Sequence, residues 1–308
     1  MEYRVLGPLE VHAAGGEKHA LGGAMQQSVL ASLLLRAGQT VALERLVGDL
    51  WDEPPETAAR TIQAYVSRLR RELPKGAIES RPGGYRLVLD HGDLDLEAFE
   101  RRAEEGHRGL AAGQHEEAGR LLRSALALWR GPALAGLTSE ALRRQAERLE
   151  ELRLTVLEDR LEADLGCARE AEIVPELKAL VAEHPFRERL RALLMLALYR
   201  SGRQTEALDV YRETRGLLAD QLGLEPSETL RQLERRMLAH DPELEVKLPD
   251  AVARVRARAR RTRSRRASLR AAAPGGAVAR WHRSGGRPPL SGRRPRPLAR
   301  TRARRSHI

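Results

Sequence analysis

The feature that most constrains this chain is a succession of helix-length segments between Asp95 and His240, rich in Ala, Leu, Glu and Arg. They are separated by breaks at Gly113, Gly131-Pro132, Gly166, Pro185, Gly202 and Gly223–Pro226. Helices of roughly 12–20 residues joined by short connections imply antiparallel pairs stacked as a solenoid, because no single pair can bury its apolar face alone. Ser201-Gly202-Arg203, followed by Ala207-Leu208 and Tyr211, has the pattern of a tetratricopeptide turn and second helix. The repeat signal is partial, since neighbouring pairs are not closely alike.

The segment before it reads differently. Tyr3–Leu6 and Leu9–His12 are short apolar stretches around Gly7-Pro8, with Ala13-Ala14-Gly15-Gly16 as a turn. Met25–Ala37 carries a helical stripe of Val29, Leu30, Leu33 and Leu34 that Gly38 ends. Leu43–Leu50 is a second, shorter amphipathic helix, stopped by Asp52 and Pro54-Pro55. Thr57–Leu73 is a third, closed by Pro74, and Ile78–Leu89 reads as a hairpin turning at Pro82-Gly83-Gly84. The expected fold is therefore mainly α: an α+β winged helix-turn-helix over residues 1–92, then an all-α tetratricopeptide-like domain over residues 93–241.

Charge must be read by position. The overall +11 invites a nucleic-acid reading. Residues 251–308 hold 19 arginines with no lysine and no acid, so residues 1–250 carry 35 basic against 43 acidic side chains. The basic excess belongs to the end of the chain. Residues 242–308 cannot bury enough apolar surface to offset chain entropy and are expected to be a disordered tail. Two readings of it stand: a polycationic arm adding nonspecific nucleic-acid affinity, or an out-of-frame extension of a GC-rich gene. The abrupt loss of every acid after Asp250 favours the second.

Within the folded part, residues 54–89 carry seven basic and three acidic side chains, a local +4 in an acidic body. On a helical wheel of Thr57–Leu73, Ile62, Val66, Leu69 and Leu73 share one face with Tyr65 beside them. The opposite face holds Arg60, Ala64, Ser67 and Arg71, flanked by Thr61, Gln63, Arg68 and Arg70. It is basic at both ends and small in the middle, so it can approach a major groove closely. Arginine pairs bidentately with guanine, glutamine with adenine, and hydroxyls with phosphate. An exposed basic face can also be merely solvated. The order of two helices before it and a glycine-turned hairpin after it, with Arg81 and Arg86 flanking the turn, favours a DNA reader.

These segments resemble the OmpR/PhoB-type winged helix: Leu50-Trp51-Asp52-Glu53-Pro54-Pro55 before the recognition helix, Arg60–Leu73 as that helix, and Arg81-Pro82-Gly83-Gly84-Tyr85-Arg86-Leu87 as the wing. Further stretches are Ala127–Pro132 (ALWRGP), Glu183–Glu188 (EHPFRE) and Leu196–Arg203 (LALYRSGR). With them, residues 1–240 look like the Streptomyces antibiotic regulatory protein family, in which a winged helix precedes a tetratricopeptide-like bacterial transcriptional activation domain. The resemblance implies base contacts from Gln63 and Arg68, phosphate contacts from Arg60, Thr61, Ser67 and Arg71, and Arg86 directed to the minor groove. Tyr85 and Trp51 read as core or turn anchors. It also implies an RNA polymerase contact from the loop Trp51–Glu56. Asp52, Glu53 and Glu56 suit a basic polymerase surface, and are equally the acids expected at a helix start. Binding as a homodimer on promoter direct repeats, RNA polymerase holoenzyme as partner, and control of an antibiotic cluster in the cytoplasm are further implications. The wing is glycine-rich where many relatives carry a hydroxyl or a larger residue near the tip. Phosphoaspartate control by a receiver domain is not expected from this sequence, and no G-x-x-x-x-G-K-[ST] nucleotide-binding motif occurs in it.

Other chemistry has little support. The nine histidines are scattered without metal-ligand spacing, so no metal or other cofactor is expected. The single Cys167, at a helix break, reads as structural. No nucleophile elbow or dinucleotide fingerprint occurs, and catalysis is not expected. No apolar run has transmembrane length. The rival readings are a helical scaffold for protein partners and a nonspecific nucleic-acid binder driven by the tail.

Overall fold

The computed structural model describes residues Met1–Glu245. Two short strands, β1 (Glu2–Arg4) and β2 (Glu10–His12), pair antiparallel with Tyr3 opposite Val11. Helix α1 (Ala24–Leu34) follows, then β3 (Thr40–Ala42), α2 (Leu43–Leu50) and α3 (Ala58–Glu72). Strands β4 (Ile78–Arg81) and β5 (Gly84–Leu87) form the hairpin, and β5 lies between β4 and β3. The remaining elements are helices: α4 (Asp95–Ala111), α5 (His115–Leu126), α6 (Glu140–Gly166), α7 (Glu170–Glu183), α8 (Glu188–Arg200), α9 (Gln204–Leu222) and α10 (Glu228–Leu238). This is the expected architecture, a winged helix followed by an all-helical region.

Three details differ from the sequence reading. The first helix stops at Leu34 rather than running to Ala37. Gly38, at φ 77°, instead donates its N–H to the Leu87 carbonyl and steers the chain toward β5. Strand β3 was not foreseen, because a three-residue strand is too short for alternation to register. The body also extends past residue 241. Pro242–Leu244 forms a turn with Leu244 buried, and the Arg200 guanidinium donates to its carbonyl at 2.6 Å. The expected disordered tail otherwise lies outside the described residues. Among these, no helix is long and apolar enough to cross a membrane.

Two apolar cores meet along α6. One runs from Tyr3 through the winged helix into α4 and α5, and receives Leu142, Leu149, Val156 and Ala163 of α6. The other is built from α7 to α10 and receives Leu154, Leu161 and Leu165. The first set is spaced by seven residues and the second by seven and four, two helical turns or about one, so each forms one stripe. Leu149 and Leu154 are five residues apart, about 140° around the helix, which turns the stripes to different sides. At 27 residues, or about 40 Å, α6 is long enough to serve both cores. Its N-terminus is fixed by Ser139, whose side chain accepts the Leu142 N–H.

The winged helix is also bonded to the helices. Asp95, at the start of α4, is buried, and its carboxylate accepts the Val5 and Leu6 N–H groups at 2.8 and 3.1 Å. Arg130 donates its backbone N–H to Leu6 and its guanidinium to Glu10 at 2.8 Å. Beside it, Trp129 meets Phe99 edge to face at 5.5 Å. The Ala127–Pro132 motif is thus the seam between the two parts.

Candidate nucleic-acid interface

Helix α3 is oriented by α1 and α2. Asp49 of α2 is buried; it accepts from the Ser32 hydroxyl at 2.5 Å and pairs with Arg36 at 2.9 Å, both on or beside α1. Gln26 of α1 donates to Glu72 at the end of α3 at 2.6 Å. Beneath, Ile62, Val66 and Leu69 are buried, so the opposite side of α3 is held outward.

On that side Arg60, Gln63, Ala64, Ser67, Arg68 and Arg71 are all exposed. Thr61 is half-buried, and its hydroxyl donates to the Thr57 carbonyl at 3.0 Å, which leaves its oxygen lone pairs for an incoming donor. Among the described residues, Arg60, Gln63 and Arg71 form no hydrogen bond or ion pair with another side chain; Arg68 only leans on the Tyr65 ring, 5.8 Å from its centroid. Most arginines elsewhere touch a carboxylate. Asp164 alone receives Arg123 at 2.7 Å, Arg169 at 2.9 Å and Arg160 at 3.3 Å. Unpaired guanidiniums on one exposed face leave positive potential and idle donors, the chemistry that meets phosphate and base edges.

The hairpin carries the other predicted residues. Arg81 closes the turn opposite Gly84, exposed and paired with Glu79 at 2.5 Å. Arg86 is placed differently from Arg81. It stands in the central strand between Thr40 and Glu79, half-buried, with its Nε out of solvent and unpartnered. Two strand positions separate it from Gly84, about 7 Å. The glycines at the tip have a steric cause. Gly83 sits at φ 76°, and a Cβ on Gly84 would lie 2.1 Å from the Val41 carbonyl oxygen of β3. A larger residue there would push β3 off the sheet.

The helical wheel sets Arg70 on a flank of α3, and the structure gives it a distinct set of partners. Its Nε donates to the Ile78 carbonyl at 3.0 Å, its Nη2 donates to the Ser80 hydroxyl at 2.8 Å, and its guanidinium lies 5.7 Å from the Tyr85 ring centroid. Its only sequence signal is the run Arg68–Arg71, which does not say which arginine turns inward. Asp52, Glu53 and Glu56 are exposed on the loop between α2 and α3. With Trp51, Ala24, Met25 and Ser139, Asp52 and Glu53 line a notch of about 510 Å³ against the start of α6.

Two titrating groups bear on the seam. Burial, the largest influence, pushes the Asp95 carboxyl above the usual 3.8, while the Val5 and Leu6 N–H groups and Arg130 pull it back. Glu10 is drawn down to about 2, first by Lys18, then by His12 and Arg130. Cys167 is pushed up to about 11, chiefly by burial and then by Glu116, so its thiol stays protonated and poorly nucleophilic.

Comparison with known proteins gives a consistent picture. Residues 18–87 match the family described as "Transcriptional regulatory protein, C terminal", and residues 94–238 match "Bacterial transcriptional activator domain". The chain is 47% identical over 246 residues to regulatory protein AfsR of Streptomyces coelicolor, covering 79% of this chain and 25% of AfsR. It thus spans about a quarter of that relative's length. It is 39% identical to regulatory protein DnrI of Streptomyces peucetius, covering 82% of this chain and 97% of DnrI. The solved structure of Mycobacterium tuberculosis EmbR in complex with a low affinity phosphopeptide superposes with a TM-score of 0.75 at 36% identity, over 78% of this chain and 65% of that one.

Proposed function

The chain belongs to the Streptomyces antibiotic regulatory protein family of transcriptional activators, and on that premise we propose that it binds promoter DNA sequence-specifically through α3 and the β4–β5 wing. The observation that carries this reading is the outer face of α3, where Arg60, Arg68 and Arg71 have no acid partner among the described residues. In this reading Gln63 and Arg68 reach base edges. Arg60, Thr61, Ser67, Arg71 and Arg81 hold phosphates, Ala64 leaves room for close approach, and Arg86 reaches toward the minor groove beside the wing.

Residues 1–92 are the reader, and residues 93–241 are the activation domain. Two protomers occupy direct repeats in a promoter of an antibiotic cluster, and Asp52, Glu53 and Glu56 face RNA polymerase holoenzyme in the cytoplasm. Neutralising that loop is expected to lower transcription from a reconstituted promoter without weakening the protein's hold on DNA. An equal fall in both would remove the polymerase role.

The test is selection of duplexes from a random pool by the full chain, followed by gel-shift titration over a range of salt. Enrichment of a repeated motif supports the reading, and binding indifferent to sequence overturns it. Deleting residues 251–308 separates it from a tail-driven binder, because specific affinity then survives. A scaffold for protein partners would show no preference for the selected duplex over random DNA.

A further inference from the structure

We propose that Arg70 is a positioning residue that locks the wing to the recognition helix and so sets how far apart the two meet DNA. The inference rests on the DNA reading above and adds to it a part that touches no nucleic acid. Between α3 and β4 the chain has only the turn from Leu73 to Ala77, which contains Pro74 and Gly76. Buried Leu69, Ile78 and Leu87 join the inner sides of helix and hairpin, but apolar contacts are non-directional and leave the hairpin's tilt weakly defined. Arg70 supplies direction beside that apolar contact.

Its two donors take groups of two residues on β4, the Ile78 carbonyl and the Ser80 hydroxyl, while its guanidinium carbon lies over the Tyr85 ring of β5. Ser80 and Tyr85 are directly paired across the hairpin, so one side chain grips both strands at the same level. That is a task for a planar fork. A lysine ammonium keeps the charge but is a single point that cannot span both acceptors and stack as well. The neighbouring Arg68 and Arg71 make no such bonds, which separates one arginine that orients the surface from those that present it. A major-groove helix and a minor-groove wing can engage together only at a fixed separation, so a loosened wing gives up its groove while the helix keeps its own.

The experiment uses the full chain and a duplex that the unaltered protein selects from a random pool. If the unaltered chain selects none, the DNA reading falls and this inference with it. Given selection, Arg70→Ala and Arg70→Lys are each expected to bind roughly tenfold more weakly, and Ser80→Ala about threefold, for lost polar contacts of this kind. In footprints, Arg70→Lys loses minor-groove protection beside the site and keeps protection of guanine N7 in the major groove. Adding Arg81→Ala then costs less affinity than it does in the unaltered chain, since the wing is already disengaged. Wild-type affinity for Arg70→Lys, or proportional loss of protection in both grooves, overturns the proposal and leaves Arg70 as a charge. Ser80→Ala, which removes one contact and no charge, decides the matter if the Arg70 variants fold poorly.

Discussion

The arginines of α3 and those of the helical body are the same side chain put to opposite uses. In the body, Arg123, Arg160 and Arg169 converge on buried Asp164, and Arg187 reaches buried Glu158 at 2.9 Å. Their charge is spent inside the protein, where it fixes one helix against another. On α3, Arg60, Arg68 and Arg71 pair with no acid among the described residues, and Ala64 stands where an acid would pair with two of them. A protein that reads DNA as proposed above needs the second arrangement in one place and can tolerate the first everywhere else. Net charge says nothing of this difference.

The sharpest way to break the comparison is to strip the body of an acid. Asp164→Ala leaves three guanidiniums around a vacated carboxylate, and is expected to cost about 3–5 kcal/mol of stability, read by chemical denaturation. A loss under about 1 kcal/mol would mean that solvent already screens the cluster. Next, Ala64→Glu makes α3 resemble the body, with one acid four residues from both Arg60 and Arg68. It should hold or raise stability by about 0.2–0.5 kcal/mol per pair while weakening DNA binding by roughly 2–3 kcal/mol through phosphate repulsion. Unchanged affinity would show that this face does not meet DNA.

Arg68→Ala is expected to cost about 1–3 kcal/mol of specific affinity in a gel-shift titration, with stability unchanged within about 0.5 kcal/mol. The corresponding change at Arg187 should do the reverse. The smallest effect lies at the seam. Glu10, held at about 2 against its ordinary 4.5, contributes stability that is complete above 4.5 and is lost as pH falls toward 2. Asp95, raised by burial, works in the other sense: its contribution is full below 3.8 and fades as pH rises through its raised value. Glu10→Gln should therefore flatten the acid side of a melting-temperature profile, and an unaltered profile would show that Glu10 is not coupled to folding.

Much of the fold was legible because its signals are local. The stripe Ile62, Val66, Leu69 and Leu73 marked the buried side of α3, and the glycine and proline breaks separated the later helices with little error. Thr40–Ala42 carries no strand signal of its own because it owes its structure to the partner strand β5, 42 to 46 positions along the chain. The candidate contact residues were legible as a face. Arg70 was not, since the wheel places it among its neighbours and only the hairpin above it distinguishes it.

By itself, then, the sequence determined where the helices lie and what separates them, which side of α3 is apolar, and that the folded part is acidic around a basic patch. Those properties follow from periodicity, backbone preference and counting, and each is set within a few turns of chain. The tertiary structure decided which arginines are neutralised and which are left bare, that α6 carries two cores at once, and that Arg70 faces the wing. Pairing of charges and sharing of a core depend on distances between residues far apart in sequence, and only the folded chain sets them.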